Sequence, residues 1–126
     1  MRETFLPLAK PTISEDEITA VTEVAKSGWW TTGPKVAEFE NAFSKYLSEG
    51  ETLHTVGLNS CTSALHLALL ALGIGEGDEV IVPTWTFAAT AQVVEWVGAT
   101  VVLCDVELET FNIDVKKAKM LINEKT

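Results

Sequence analysis

The sequence predicts an α/β protein built on a parallel β-sheet with helices packed over it, and two patterns carry that prediction. From residue 53 onward, short apolar runs alternate with helical stretches: a strand near 53–58, a helix near 61–72, a strand at 79–82, a helix near 87–97, a strand at 100–105 and a helix near 115–123. Alternation of this kind implies βαβ units. The strand segments Glu79-Val80-Ile81-Val82 and Thr100-Val101-Val102-Leu103-Cys104 are rich in β-branched residues and almost continuously apolar, as strands covered on both faces should be.

Ahead of the alternation the spacing predicts two helices. Ser14 followed by Glu17 forms a capping box, Ile18, Val21, Val24 and Ala25 recur at helical spacing, and Gly28 supplies a stop, so residues 14–27 read as an amphipathic helix. After Trp29-Trp30-Thr31-Thr32-Gly33, Pro34 suits the first turn of a second helix, with Val36, Phe39, Ala42, Phe43, Tyr46 and Leu47 on one stripe. Residues 1–50 are thus expected as a helical segment leading into an incomplete α/β domain at 51–126, the whole forming one compact unit. The last helix stops near Lys125-Thr126, where the alternation calls for another strand. Three parallel strands would keep bare edges, so the sequence reads as interrupted.

A chain of 126 residues, 47% hydrophobic, can bury one core and is short for two. Its 18 acidic and 9 basic residues give a formal charge of -9, a field that repels polyanions, so neither nucleic acid nor an anionic membrane is expected as a partner. Residues 52–75 carry no Asp, Glu, Lys or Arg, but the wholly apolar part, Leu67 to Leu72, is far below the roughly 20 residues of a spanning helix. The N-terminus carries early acids and no apolar run of the secretory kind. Cys61 and Cys104 sit among apolar residues with no metal-ligand spacing, which predicts buried, reduced thiols and a cytoplasmic location.

The segment Gly57-Leu58-Asn59-Ser60-Cys61-Thr62-Ser63-Ala64-Leu65 runs from a strand end through small polar residues into an apolar helix expected to be buried. Such a junction aims unpaired N–H groups, hydroxyls and the positive end of the helix dipole at one spot, which suits a phosphate. Asn59 or Ser60 serving only as an N-cap explains the same residues. Pro83-Thr84-Trp85-Thr86-Phe87-Ala88-Ala89-Thr90 is a second junction between a strand and a helix, and ligands of open α/β sheets sit outside the carboxyl ends of the strands. An aromatic there either stacks on a flat ring or roofs the core. His54 and His66 have no partner at metal-ligand spacing and read as hydrogen-bonded core histidines. Asp105, with Glu107 and Glu109, reads as a solvated acidic strand end. Trp29 and Trp30 suit an interface patch or a pocket lip equally. GxGxxG, GxxxxGK[ST], GxSxG and HExxH do not occur, which removes the common nucleotide-binding and hydrolase readings.

The ordered set Ser27-Gly28-Trp29, Thr32-Gly33-Pro34, Phe39-Glu40, Asn59 to Leu65, Gly77-Asp78-Glu79-Val80-Ile81, Pro83, Thr86-Phe87, Gly98-Ala99, Asp105 and Thr110-Phe111-Asn112-Ile113-Asp114 resembles the DegT/StrS family of sugar aminotransferases over nearly the whole chain. The resemblance implies the N-terminal part of a fold-type-I large domain that binds pyridoxal phosphate. It implies transfer of an amino group, usually from glutamate, to a keto-sugar nucleotide, in a homodimer. By motif position it makes Ser60, Thr62 and Ser63 ligands of the cofactor phosphate and Phe87 the aromatic on the pyridine ring, with Thr31 and Thr32 near the mouth. It also places the lysine that bonds the cofactor, and the acid that keeps the pyridine nitrogen protonated, beyond residue 126. Lys116, Lys117, Lys119 and Lys125 do not stand in that motif, so the chain by itself is expected to hold no catalytic residue and to be inactive. A sugar dehydratase with histidine in place of the lysine, and a non-catalytic truncated module, are the alternatives.

Overall fold

The computed structural model describes Phe5, Pro7 and residues 9–126. Tertiary contacts group the chain into two compact units, Met1–Gly57 and Leu58–Thr126.

In the first unit α1 spans Glu15–Ser27 and α2 spans Pro34–Leu47. Ser14 caps α1 as expected: its hydroxyl accepts from the Asp16 N–H at 3.3 Å, and the Glu17 carboxylate accepts from the Ser14 N–H at 2.6 Å. Gly28, at φ 71, ends α1 in the left-handed region that glycine enters freely. Between the helices, Trp29 Nε1 donates to the Thr32 carbonyl at 2.9 Å and Trp30 Nε1 to the Ala25 carbonyl at 3.2 Å. A Cβ at Gly33 would overlap the Trp29 indole, so this glycine is needed for space. On α2 the apolar stripe brings Phe39 and Phe43 to 5.7 Å and Phe43 and Tyr46 to 6.4 Å between ring centroids.

The strand expected near 53–58 does not form. A strand needs a neighbouring backbone, and here α2 side chains take over that role. Ser44 Oγ donates to the Leu53 carbonyl at 3.0 Å and pairs with Thr55 Oγ1 at 2.9 Å, while the Gly57 N–H donates to Glu40 Oε1 at 2.7 Å.

The second unit runs α3 (Cys61–Ala71), β1 (Glu79–Pro83), α4 (Ala89–Trp96), β2 (Thr100–Cys104) and α5 (Val115–Leu121). β1 and β2 pair in parallel, from Glu79 opposite Thr100 to Pro83 opposite Cys104, so β1–α4–β2 is one βαβ unit. Val82, Val94 and Ala99 form its core, with Leu69, Ile74, Val80, Ala91, Val97 and Val101 packed around them. Two expectations fail here for a shared reason. α3 is apolar on all sides, yet Leu65, Leu67 and Leu70 are exposed and none of its residues is fully buried; β2 likewise exposes Leu103. Only α4 lies extensively against α3 in this unit, so one helical face is covered and the rest is not. Of the two cysteines, Cys104 is buried as expected and Cys61, at the open start of α3, is exposed; both are free thiols.

Candidate cofactor-phosphate site

α3 starts behind Ser60, whose backbone is extended (φ -160) and whose hydroxyl accepts from the Ser63 N–H at 3.1 Å and donates to Ser63 Oγ at 3.0 Å. One orphan donor of the first turn is thereby satisfied. Among the described residues, the N–H groups of Cys61 and Thr62 and the Thr62 hydroxyl have no protein partner, and the first turn contains no acid. Thr62 and Ser63 are half-buried. Free N–H donors, adjacent hydroxyls and an unopposed helix dipole are the donor set of a phosphate dianion. The capping role of Ser60 therefore coexists with a phosphate-suited turn.

Gly73 (φ 74) and Gly77 (φ 95) turn the chain back between α3 and β1, and the Asp78 carboxylate accepts from the Gly75 N–H at 2.9 Å to close the bend. The 11 residues of α3 and the five of β1 each span about 16 Å. Leu69 of α3 packs against the core at Val82, near the carboxyl end of β1.

That carboxyl end continues into the 84–88 loop. Its first residue is tied to the sheet by Thr84 N–H to the Cys104 carbonyl at 2.8 Å, and its far end to α4 by Thr86 Oγ1 and Thr90 Oγ1 at 2.9 Å. Thr84, Trp85, Thr86 and Phe87 line an open cavity of about 420 Å³. Phe87 is 80% exposed, and among the described residues its ring pairs with no other aromatic; Trp85 instead meets Phe111 at 5.6 Å. No hydrogen bond links the 84–88 loop to the Ser60–Ser63 turn among the described residues.

The other residues singled out in the sequence fall outside these loops. The histidines are not the hydrogen-bonded core residues expected: His54 is exposed, and half-buried His66 meets the Trp96 ring edge-on at 5.5 Å, a packing contact of α3 with α4, because α3 is covered on one face only. Asp105 accepts from Lys117 Nζ at 2.7 Å, a partner 12 residues along the chain that charge pattern alone did not reveal. That hydrogen bond, the Val106 N–H and the Lys117 charge hold the Asp105 carboxyl below its usual range, and the same bond raises the Lys117 ammonium above its own. Thr31, with Trp29, Trp30 and Val36, lines a separate cavity of about 540 Å³ within the first unit. Among the described residues no cluster of His, Cys, Asp and Glu could hold a metal ion, and no helix is long and apolar enough to cross a membrane.

A parallel βαβ unit entered through a phosphate-suited helix start is the class of α/β fold met in the N-terminal part of fold-type-I transferases, and solved structures of that kind superpose on this chain. The chain belongs to the DegT/DnrJ/EryC1/StrS aminotransferase family, whose model matches residues 11–126. It is 44% identical over 126 residues to the UDP-4-amino-4-deoxy-L-arabinose–oxoglutarate aminotransferase of Shewanella sediminis, covering 100% of this chain and 32% of that protein. A structure from Streptococcus pneumoniae, named as a sugar aminotransferase in its PLP form, has 45% identity and a TM-score of 0.85 over 96% of this chain and 30% of its own. A GDP-4-keto-6-deoxymannose-3-dehydratase has 28% identity and a TM-score of 0.84, over 95% of this chain and 32% of its own. The chain spans about a third of the length of the curated relatives it matches.

Proposed function

We propose that this chain is the cofactor-phosphate part of a pyridoxal-phosphate-dependent aminotransferase that moves an amino group from glutamate to a keto-sugar nucleotide. The single observation that carries the reading is the start of α3, where among the described residues two N–H groups and the Thr62 hydroxyl lack protein partners at the positive end of a helix. Pyridoxal phosphate, when bound, supplies the electron sink that this transfer requires. In this reading Ser60 holds the first turn in shape, Thr62 and Ser63 donate to the phosphate, and Phe87 offers its open face to the ring. The eight lysines of the chain all lie outside the 58–63 and 84–88 segments, so covalent attachment of the cofactor falls to a residue elsewhere in the protein. The free thiols of Cys61 and Cys104 suit a reducing, cytoplasmic setting, and a homodimer is the assembly we infer.

Replacing Thr62 by Val keeps the side-chain shape and removes one donor to a charged group. In the full-length protein, pyridoxal-phosphate affinity should fall roughly tenfold. An unchanged affinity would remove the site assignment. A second reading, a sugar dehydratase on the same scaffold, is supported by the dehydratase neighbour. Amino transfer from glutamate in a half-reaction assay separates the two.

A further inference from the structure

Phe111 has φ 57, the one non-glycine residue with positive φ among the described residues, and it is a bulky one that this region disfavours. A closed turn holds it there. The Phe111 N–H donates to the Glu107 carbonyl at 2.9 Å, the Glu107 N–H to the Asn112 carbonyl at 2.9 Å, and Thr110 Oγ1 to the Glu107 carboxylate at 3.0 Å. Val106 and Ile113 bridge the two arms below, and the Asp114 N–H returns to the Asp105 carbonyl at 3.0 Å. The base of the turn is fixed to α5 by Asp105 with Lys117 and by Asp114, which accepts from the Lys116 and Lys117 N–H groups. A rigid stem thus presents a strained residue at its tip, a combination that persists only where the surroundings over-determine it. What the tip touches is the Trp85 ring, at 5.6 Å and 42°.

Trp85 sits in the middle of the 84–88 loop, between the Thr84 tie to the sheet and the Thr86 tie to α4. Phe111 is its only aromatic partner among the described residues. We propose that Phe111 is a positioning residue: the turn at 105–114 pins Trp85 and so sets the direction in which the loop presents Phe87. The inference rests on the reading that Phe87 faces the cofactor ring. Phe111 itself touches neither cofactor nor substrate in this account.

Phe111→Gly is the informative variant, because glycine adopts φ 57 without strain and the turn survives while the ring is lost. In the full-length protein freed of cofactor, the amides of 84–88 should exchange with deuterium faster in Phe111→Gly, the near-ultraviolet circular dichroism of Trp85 should weaken, and Phe111→Tyr should restore both. Pyridoxal-phosphate affinity should fall roughly threefold to tenfold in Phe111→Gly. In a Phe87→Ala background the same substitution should change affinity no further, since the residue it positions is gone. Slow exchange at 84–88 in Phe111→Gly, or an affinity loss that adds in full to that of Phe87→Ala, overturns the positioning role alone. Unchanged affinity in Phe87→Ala itself overturns the placement of Phe87 at the cofactor and this inference with it.

Discussion

Asp105 and Lys117 meet at 2.7 Å at the base of the turn after β2, both exposed to solvent by more than half. The hydrogen bond from Lys117 holds the Asp105 carboxyl below its usual value, so the folded protein binds that proton less readily than the unfolded chain does. Its contribution to stability is therefore present above the unfolded value of about 3.9 and is lost as pH falls through the lowered folded value. For Lys117 the shift is upward, and its contribution is present below about 10.4 and lost as pH rises through the raised value. Asp105→Asn should flatten the fall of melting temperature below about pH 4, and high salt should shrink the difference, because an exposed pair is screened. Identical acid profiles for the two proteins would mean the pair does not form. Neither partner announced the other in sequence: Asp105 read as one of several solvated acids, and Lys117 as one of several helix lysines. Phe111 was hidden in the same way, since a left-handed angle is legible at glycine or asparagine and not at phenylalanine.

Elements were readable where local chemistry sets their ends. Ser14 with Glu17, Gly28 and Pro34 mark the limits of α1 and the start of α2 without reference to anything distant. β1 and β2 were readable from continuous β-branched character. α4 starts at Ala89, two residues beyond the expected position, because Ala88 provides no side-chain cap and the apolar pattern runs smoothly from the loop into the helix. The segment 53–58 has the apolar alternation of a strand, but pairing is a property of the neighbour, and here the neighbours are Ser44 and Glu40. α4 is also where packing energy concentrates, with Val93 and Val94 at 2% and 1% exposure. Val94→Ala removes two methyl groups from the cluster with Val82 and Ala99, and should cost about 2 kcal/mol in urea unfolding. The exposed Val21→Ala on α1 should cost far less, and equal losses would contradict the core assignment.

At the scale of the whole molecule, the family is carried by motif order along residues 11–126, and the ligand chemistry proposed for it falls to the Ser60–Ser63 turn and the 84–88 loop. A formal charge of -9 disfavours polyanions, whereas the start of α3 has no acid in its first turn, which is why the proposed ligand there is a small phosphate. The unpaired donors at the start of α3 were legible from the strand-to-helix junction, whereas the meeting of the Trp85 and Phe111 rings belongs to three-dimensional arrangement. The most direct test of the account is a crystal structure of the full-length protein grown with pyridoxal phosphate. The account predicts the phosphate at roughly 2.7–3.2 Å from the Thr62 N–H and from the hydroxyls of Thr62 and Ser63, with the Phe87 ring against the pyridine. A phosphate seated away from the start of α3, or Phe87 turned from the ring, would contradict it.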